Sequence, residues 1–555
     1  MKKLVTFVIL TFSISASSQH LISNTTRQSN VSFTNSNLPI VLLNTNGVTI
    51  PDEPKIDATM KIIYNGAGLI NNVTDIPNIY DGNIGIELRG SSSINYPQKP
   101  YKLETRNALN VKQNVSLLGM PSESDWILLS NYNDKVFMRN TLAYKIFNEM
   151  GNYSTKNRFC EVVLNGEYVG IYLLMENIKR GNDRVNIAKL DLIDNDGIEL
   201  TGGYIIKNDY WEETNSWLSN YHPIDHPNFD VYMVYEYPKA AVITTQQKTY
   251  IQGFVNDFET VLYSTNYADP LNGYNKYIDV NTFIDYLIVN ELARNGDGFK
   301  KSSYFNKNID MPTAISKMKA GPVWDFDWAW KNINECAIFA QTNGAGWAHL
   351  VNNCNSDVNS PGWFVRLLQD VNFQNKLRCR WNVLRQNILS ETSLNNYIDE
   401  NALNLNQAQS RHYQKWEHLG LNTGTPEVGT IPTTFDAHIQ SFKDWISVRL
   451  IWLDANIPGN AANCSLDVPK IESFGSNITI FPNPAKSYLS ISNIENNAVN
   501  SMEIIDVSGK TIKFFKKLFT ENTNFDITDV ENGIYFCRLS DFNNNYKTFK
   551  LVILH

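Results

Sequence analysis

A polar stretch of small residues divides the sequence into two parts that must build separate hydrophobic cores. Residues 458–477, PGNAANCSLDVPKIESFGSN, are rich in Gly, Pro, Ser and Asn, a composition that is typical of turns and connecting segments. We predict a linker over residues 458–473 within this stretch. The sequence therefore predicts one large domain at residues 38–457 and one small domain at residues 474–555.

The small domain shows the two-residue period of β-strands. Leu489 and Ile491 alternate with serines, and a Ser-Gly pair at residues 508–509 lies between two apolar runs. Short alternating runs separated by turn residues predict a small β-sandwich. No catalytic constellation of side chains is visible in this part of the sequence.

The amino-terminal residues have the order of an export signal. Two lysines precede an apolar stretch from Leu4 to Phe12, and small residues follow up to Ser18, so residues 1–18 are predicted to be a signal peptide. The polar residues 19–37 are predicted to form a flexible leader. No later segment holds the roughly 18–20 uninterrupted apolar residues that cross a bilayer, and we predict no transmembrane segment.

Composition argues against two classes of function. The net charge of −8 is spread without a basic cluster, so no nucleic-acid partner is expected. None of the six cysteines lies in a CxxC pair and no HExxH sequence is present, which argues against a zinc site. Cys336 and Cys354 are close enough to close a loop in an exported protein, although spacing alone does not fix the pairing.

Three acidic residues follow regular elements in the large domain. The segment GPVWDFDWAW, residues 321–330, places Asp325 and Asp327 among aromatic side chains after a predicted strand. A predicted helix that begins near Asp279 ends near residues 295–296, and Asp297 follows it directly. A strand pair between these sites could bring the acids together. For any single Asp, a turn or a helix cap is the competing explanation.

Such acids suit phosphoryl transfer. One carboxylate orients the acceptor hydroxyl, and another holds the divalent metal that neutralises the phosphates. Protein kinases place the first acid after a helix and the second after a strand, which is the order of Asp297 and Asp325 here. A glycan-active enzyme that uses Asp325 and Asp327 as an acid pair is a competing hypothesis, but their spacing does not predict the required separation of the carboxyls.

Basic residues could contact phosphate near a tight turn. The sequence RGSS, residues 89–92, lies between two predicted strands, and its amides and hydroxyls could face phosphate oxygens. Arg89, Lys99 or Lys102 could add positive charge there, although an ordinary hairpin explains the turn equally well. Lys207 lies within an apolar strand, where it either reaches the surface or meets an anion.

The small domain resembles a known sorting module. The segments FPNPAKSYLSI, IIDVSGKTI, NGIYF and KTFKLVI occur in the order found in the C-terminal sorting domain of the type IX secretion system of Bacteroidetes-type bacteria. The resemblance implies a partner in the type IX secretion machinery and a secreted or cell-surface-anchored protein after outer-membrane passage. A carbohydrate-binding or adhesive β-domain is the alternative.

The large domain resembles the spore-coat CotH kinase family. The segments LRGSSSINYPQKPYKLE, NDKVFMRNTLAYKI, GGYIIK, NELARNGDGFKKSSYF and KAGPVWDFDWAW carry the resemblance in that order. It implies an α+β fold with a divergent, protein-kinase-like two-lobed domain, followed here by the small C-terminal β-sandwich. It also implies an enzyme that uses ATP and Mg²⁺ to phosphorylate Ser or Thr hydroxyls of a protein whose identity the sequence does not give.

The resemblance assigns roles to individual residues. Asp297 matches the catalytic acid and Asp325 the metal-binding acid, with Asp327 as a second metal ligand. The residues implied in nucleotide binding are Arg89, Ser91, Ser92, Lys99, Lys102, Glu176 and Lys207.

The sequence departs from the kinase pattern after the catalytic acid. Kinases place an Asn a few residues after that acid as a metal ligand, whereas residues 300–303 here are Lys-Lys-Ser-Ser. Asp327 could replace that ligand. A catalytically inactive, kinase-like protein that acts in surface assembly or adhesion is therefore the alternative hypothesis.

Overall fold

The computed structural model describes residues 29–312, 314–464, 478–492, 499–506, 510–516, 524–541 and 546–555. The predicted signal peptide lies outside the described residues, as do most of the predicted linker and the first part of the predicted leader. The chain divides into two compact units, one up to Ala461 and one from Ala462 onward. Each unit is described separately below.

The first unit begins with a closed β-barrel. Its opening strands are β1 (Asn35–Ser36), β2 (Ile40–Asn44), β3 (Ile56–Ile63), β4 (Asn71–Asn72), β5 (Tyr80–Leu88), β6 (Tyr101–Arg106), β7 (Asp125–Ser130), β8 (Asn157–Leu164) and β9 (Glu167–Glu176). Seven of these close in the order β2-β3-β5-β6-β7-β9-β8. Neighbouring strands are antiparallel except β2 and β8, whose parallel pairing closes the barrel.

Alternation along the strands fills the barrel interior. Apolar side chains two residues apart, such as Ile84 and Ile86 in β5, point inward and are fully buried with Leu103, Trp126 and Leu174. An Asn-Gly turn at residues 165–166 joins β8 and β9 in a hairpin, and both turn residues have positive φ angles, 51° and 85°.

A second sheet follows the barrel. The next elements are α1 (Arg139–Glu149), which lies between β7 and β8 in the chain, β10 (Tyr204–Asn208), β11 (Ser216–Leu218), β12 (Tyr232–Tyr237), α2 (Thr245–Leu262), α3 (Val280–Ala293), α4 (Asp297–Lys300), β13 (Ser303–Lys307) and β14 (Lys319–Ala320). The five strands form an antiparallel sheet in the order β11-β12-β10-β13-β14. α3 is buried along almost its whole length within the largest hydrophobic core.

Four helices complete this unit: α5 (Trp363–Leu367), α6 (Val371–Arg385), α7 (Glu391–Lys415) and α8 (Phe435–Asn456). Asp370, Ser390 and Thr434 cap α6, α7 and α8 through side-chain oxygens that accept backbone N–H groups. The end of α7 lies against the barrel, where the Nδ1 atom of His412 accepts a 3.2 Å hydrogen bond from the backbone N–H of Ile171.

The expected kinase-like, two-lobed α+β fold is wrong. The amino-terminal strands close into a seven-stranded barrel, the helices that follow are interleaved with a second sheet, and the chain from residue 478 onward forms strands where it is described. The alternation of apolar and polar residues identifies strands, but it does not indicate whether a sheet closes into a barrel. Closure depends here on a parallel pairing between distant residues, such as Ile40 with Glu161.

The second unit consists of strands where it is described, apart from a short 3₁₀ helix at its start. They are β15 (Thr479–Phe481), β16 (Tyr488–Ser492), β17 (Val499–Ile505), β18 (Thr511–Lys516), β19 (Asn524–Asp526), β20 (Gly533–Asp541) and β21 (Tyr546–Ile553). Two antiparallel sheets, β15-β16-β19 and β18-β17-β20-β21, share one core that includes Leu489, Ile491, Ile504 and Leu539. Across the described part of both units, every helix is too short or too polar to cross a bilayer.

Candidate active site

The end of α3 positions Asp297. The helix ends at Arg294, just before the predicted end near residues 295–296, and Arg294 adopts a left-handed conformation (φ 48°) whereas Gly296 has a helical φ of −67°. The buried Arg294 guanidinium compensates by donating hydrogen bonds of 2.8–2.9 Å to the carbonyls of Gln341, Phe339 and Ala345. The chain then turns into α4, whose first residue is Asp297.

The β13–β14 pair carries the chain from Asp297 to the other two acids. Phe305 pairs with Ala320, and the loop after β14 contains Asp325, which has a left-handed backbone (φ 67°). Asp tolerates this region better than most residues, which suits it to a sharp change of direction. The Asn140 side chain fixes the next residue by accepting a 2.8 Å hydrogen bond from the Phe326 N–H.

The three carboxyls form one electrostatic cluster, which we call the acid cluster (Asp297, Asp325 and Asp327). Burial, followed by the charges of Asp327 and Asp297, raises the pKa of Asp325 well above its usual range, and Asp325 and Asp327 also share a hydrogen bond. Burial raises the pKa of Asp297 to about 6, against the opposing effect of two nearby lysines. Two neutral side chains donate hydrogen bonds to Asp325 and Asp327. Asn133 donates to Asp327 at 2.5 Å, and Ser302 donates to Asp325 at 3.3 Å.

Two lysines lie close to Asp297. The Nζ atoms of Lys300 and Lys301 are 3.7 and 3.6 Å from its Oδ1 atom. Lys300, whose side chain is 2% exposed, is also 3.0 Å from Glu335 and 3.3 Å from Asp357. Both ammonium groups therefore shield the negative charge of Asp297 while other carboxylates hold them in place.

Asp357 and Tyr210 bring two loops to these lysines. Asp357 is 3.0 Å from the Nζ atom of Lys301, and the Tyr210 hydroxyl donates to Asp357 and accepts from Lys301 at 3.2 Å. Burial alone would raise the pKa of Asp357, but the Tyr210 hydrogen bond and the charges of Lys301 and Lys300 hold it below its usual range. Asp357 is therefore ionised at neutral pH.

Two of the predicted phosphate contacts, Arg89 and Lys207, lie in one region, and Arg89 lies near Asp325. The Arg89 guanidinium is 5.5 Å from the centre of the Trp324 ring, and Trp324 directly precedes Asp325. The Nζ atom of Lys207 is 2.7 Å from Asp209 and 5.9 Å from the centre of the Tyr304 ring. The charges of both Lys207 and Arg89 act on the Tyr304 hydroxyl, which places them in one region.

The other predicted nucleotide-binding residues make local contacts. Lys99 donates to the Ile94 carbonyl at 2.7 Å, and Lys102 lies 3.4 Å from Glu87. Ser91 and Ser92 are exposed in the turn after β5. Their roles in nucleotide binding stay predictions.

Glu176 is fully buried in the barrel wall. Its Oε2 atom accepts hydrogen bonds of 3.0 Å from the Tyr153 hydroxyl and from the Lys156 N–H, and Arg184 lies 3.9 Å from its Oε1 atom. These contacts join β9 to the start of β8. A role of Glu176 at the nucleotide also stays a prediction.

Comparison with known protein families decides the classification. The profile of the CotH kinase protein family matches residues 86–453, which is more than half of the chain. The chain belongs to the CotH family. The region from Arg89 to α8, including the whole acid cluster, lies within the match.

A curated relative supports the same classification. This CotH-family protein is 24% identical over 206 residues to the inner spore coat protein H of Bacillus subtilis (strain 168). The aligned segment covers 37% of this chain and 49% of that protein, so the chain spans about half the length of the relative.

The second unit of the CotH-family protein matches a secretion module. Residues 479–554 match the profile of the secretion system C-terminal sorting domain. The resemblance to a type IX sorting domain is thereby confirmed, and the protein is secreted and attached to the cell surface. The domain implies an interaction with the type IX secretion machinery.

Sequence reasoning missed several residues at the acid cluster. Asn133 is 3% exposed and bonds Asp327, and Tyr96 is 5% exposed and lies where the charge of Asp327 raises its pKa after the larger effect of burial. The run of polar residues between β7 and α1 was a signal for Asn133. Asp357 and Tyr210 come from distant loops, and the sequence holds no local signal for either residue.

Proposed function

We propose that this CotH-family protein transfers the γ-phosphoryl group of ATP to Ser or Thr hydroxyls of a protein substrate, with Mg²⁺ as cofactor. The observation that supports this function is the acid cluster, in which burial, and after it the charges of the neighbouring acids, raise the pKa values of Asp297 and Asp325. Perturbed carboxyls with a specific charge partner are typical of functional sites.

Asp297 is the proposed catalytic residue. The acceptor hydroxyl would donate a hydrogen bond to Asp297, and its proton would pass to this carboxylate as the hydroxyl oxygen bonds to the γ-phosphorus. The bond from that phosphorus to the bridging oxygen breaks, and ADP leaves. A pKa of about 6 keeps Asp297 largely ionised at neutral pH while making it a stronger base than an exposed Asp.

Asp325 and Asp327 fit a magnesium ion as a partial ligand set. No group of three or more His, Cys, Asp or Glu side chains that could hold a metal occurs among the described residues. Magnesium commonly takes one or two carboxylates and completes its shell with phosphate oxygens and water. The hydrogen bond between the two carboxyls and the raised pKa of Asp325 indicate uncompensated negative charge, which a divalent cation would neutralise. Bound Mg²⁺ would supply the charge that neutralises the triphosphate.

Three cations are available for the phosphates. Arg89 is held near Asp325 by its contact with Trp324, and the Nζ atom of Lys301 is 3.6 Å from Asp297. Lys207 is less exposed than a surface lysine and is held by Asp209. We propose that these side chains bind and orient the phosphates, because positive groups fixed in advance stabilise the charge that develops in phosphoryl transfer.

The test is a phosphorylation assay on the full chain with radiolabelled ATP and Mg²⁺. Asp297→Asn and Asp325→Asn keep the shape of the carboxyls and are each expected to lower incorporation of label by a factor of roughly 10²–10⁴. Asp436→Asn changes an exposed acid in the first turn of α8 and serves as the matched control. Equal incorporation by all three variants and the wild type would overturn the proposal.

The alternative is an inactive protein that acts in surface assembly or adhesion. One observation favours it: Asp297 already has two lysine partners, and the chain has Lys300 to Ser303 where kinases supply an Asn ligand. It predicts no label incorporation together with a thermal stability that ATP and Mg²⁺ leave unchanged. A rise in thermal stability with Mg-ATP that Asp325→Asn abolishes would contradict it.

A further inference from the structure

Three buried cations, one buried carboxylate and one partly buried carboxylate lie together near the start of α1, and we call this group the buried cation cluster. Its cations are Lys135, Arg139 and Lys331, which are 1%, 5% and 7% exposed, and its anions are Asp134 and Glu427. At neutral pH the cluster therefore carries one more positive than negative charge. None of its members belongs to the acid cluster.

The two carboxylates provide hydrogen bonds to only some of the N–H groups of the three cations. Asp134 pairs with the Nη1 atom of Arg139 and accepts a 2.9 Å hydrogen bond from the Arg139 N–H. Glu427 accepts a 3.4 Å hydrogen bond from the Nζ atom of Lys135 and lies 3.8 Å from the Nζ atom of Lys331. Lys331 thus has a distant charge partner but no hydrogen bond among the described residues.

Two other polar atoms of this region also lack hydrogen-bond partners among the residues that the structure describes. They are the Nε atom of Arg139 and the Nε2 atom of His438. His438 is 4% exposed, and the charges of Lys135 and Arg139 act on it. Buried N–H groups are paired in nearly all native proteins, so the unpaired donors of Lys331 and Arg139 beside one surplus charge call for a ligand.

The surplus charge persists at neutral pH. Burial, and then the charge of Arg139, lowers the pKa of Lys331 to about 8, so its amine is still mostly protonated at pH 7. A buried charge without a hydrogen bond is strongly destabilising. A single negative charge would balance the cluster, whereas a dianion would reverse the imbalance.

We propose that the buried cation cluster binds one small monovalent anion of the size of chloride, held by the Nζ atom of Lys331 and the Nε atom of Arg139. The site is linked to the acid cluster through the chain, because Lys331 lies a few residues after Asp327. Trp330, which directly precedes Lys331, donates a 3.1 Å hydrogen bond from its Nε1 atom to the Arg139 carbonyl. The anion would thus stabilise the segment that holds Asp327.

The test compares the thermal unfolding of the full chain in sodium chloride and in sodium gluconate at the same ionic strength and pH 7. Gluconate is too large for an enclosed ion site. The wild type is expected to unfold roughly 3 °C higher in chloride, and the shift should grow with the logarithm of chloride concentration. Bromide should act like chloride.

Variants distinguish the site from a general salt effect. Lys331→Met removes the surplus charge, so it should unfold at the same temperature in both salts. In gluconate it should be at least as stable as the wild type. Lys307→Met is the matched control, because Lys307 is equally buried but hydrogen-bonded to Asp310 at 2.7 Å and to the Thr201 carbonyl at 2.7 Å. It should keep the chloride shift.

Two outcomes would overturn the proposal: a wild type without a chloride shift, or a shift of the same size in Lys331→Met. If that variant does not fold, Lys331→Gln serves in its place. Crystals of the wild type grown in sodium bromide give an independent measurement. An anomalous peak beside the Nζ atom of Lys331 supports the site, and its absence at high bromide concentration contradicts it.

Discussion

The side-chain amide of Asn133 donates a 2.5 Å hydrogen bond to the Asp327 carboxylate and so joins the loop before α1 to the acid cluster. Two further bonds connect the same regions: Asn140 accepts from the Phe326 N–H, and Trp330 donates to the Arg139 carbonyl. The position of Asp327 therefore depends on residues that lie almost two hundred positions earlier in the chain.

Removing this amide should weaken phosphoryl transfer. Asn133→Ala is expected to lower the transfer rate at limiting Mg²⁺ about tenfold, because Asp327 loses its partner and about 1.4 kcal/mol of positioning free energy is lost. Asn133→Asp should lower it further, since a fourth carboxylate added to the acid cluster favours protonation of the group. The measurement is the initial rate over a Mg²⁺ titration. Asn220→Ala, at an exposed amide, is the control, and equal loss in this variant would contradict the explanation.

The pH dependence of transfer should report the state of Asp297. Its pKa of about 6 predicts that kcat/KM falls tenfold per pH unit below pH 6, because the protonated acid cannot accept the hydroxyl proton. The residual activity of Asp297→Asn should lack this acidic limb. An unchanged limb in that variant would assign the ionisation to another group, such as Asp325.

The same pKa predicts a conflict between activity and stability. The folded state raises the pKa of Asp297 from 3.8 to about 6, so the ionised carboxylate costs up to about 3 kcal/mol of folding free energy at pH 7.5. The protonated Asp297 carboxyl stabilises the folded state fully below pH 3.8, and this stabilisation is lost as pH rises towards 6. Asp297→Asn should therefore be more stable than the wild type at pH 7.5 and no more stable at pH 3.5, as measured by urea denaturation.

Much of the local structure was predictable from the sequence. The hairpin at Asn165-Gly166, the stripe that buries α3 and the strands around Leu489 each follow from a local pattern, because turn chemistry and periodicity act over a few residues. The order of Asp297 and Asp325 after a helix and a strand also follows from local patterns. These features needed no knowledge of distant contacts.

The parts that sequence reasoning missed depend on contacts between distant segments. Closure of the barrel rests on the pairing of β2 with β8, and the alternation of each strand is the same whether a sheet is open or closed. The contacts of Asp357 with Lys301, and of Asn133 with Asp327, likewise join loops that no periodicity connects. The guanidinium of Arg294, at the left-handed cap position, likewise donates to carbonyls that lie far away in the chain.

The disulfide between Cys336 and Cys354 should support the lysines beside Asp297. It closes a loop of 18 residues, and Glu335, which contacts Lys300, precedes the first cysteine. Replacing both cysteines by alanine should cost about 3 kcal/mol of folding free energy through the larger entropy of the unfolded chain. Urea denaturation measures this loss. Cys160→Ala, at a free buried cysteine, is the control for lost side-chain volume.

Acid should weaken the contact between α7 and the barrel. His412 and His418 are both fully buried, and burial lowers the pKa of His412 well below its usual value and that of His418 to about 4. The folded state keeps both rings neutral, while the unfolded chain takes up protons below pH 6.5. The stability that they contribute is therefore complete above pH 6.5 and is lost as pH falls from there towards 4. Between pH 7.5 and 5.5 the pair should cost roughly 2–3 kcal/mol.

His412→Asn separates this effect from other ionisations. The Asn oxygen can accept the Ile171 N–H in place of the ring Nδ1 atom but cannot be protonated in this range. In urea denaturation the variant should lose about half of the contribution that the His412 and His418 pair makes to the pH dependence between pH 7.5 and 5.5. His222→Asn, at a residue with a 46% exposed side chain, should keep all of it. Because Asp297 changes stability in the opposite direction below pH 6, both variants are best compared in the Asp297→Asn background, where this opposing contribution is absent. A pH dependence that His412→Asn leaves intact would show that protonation of this helix end does not limit stability in acid.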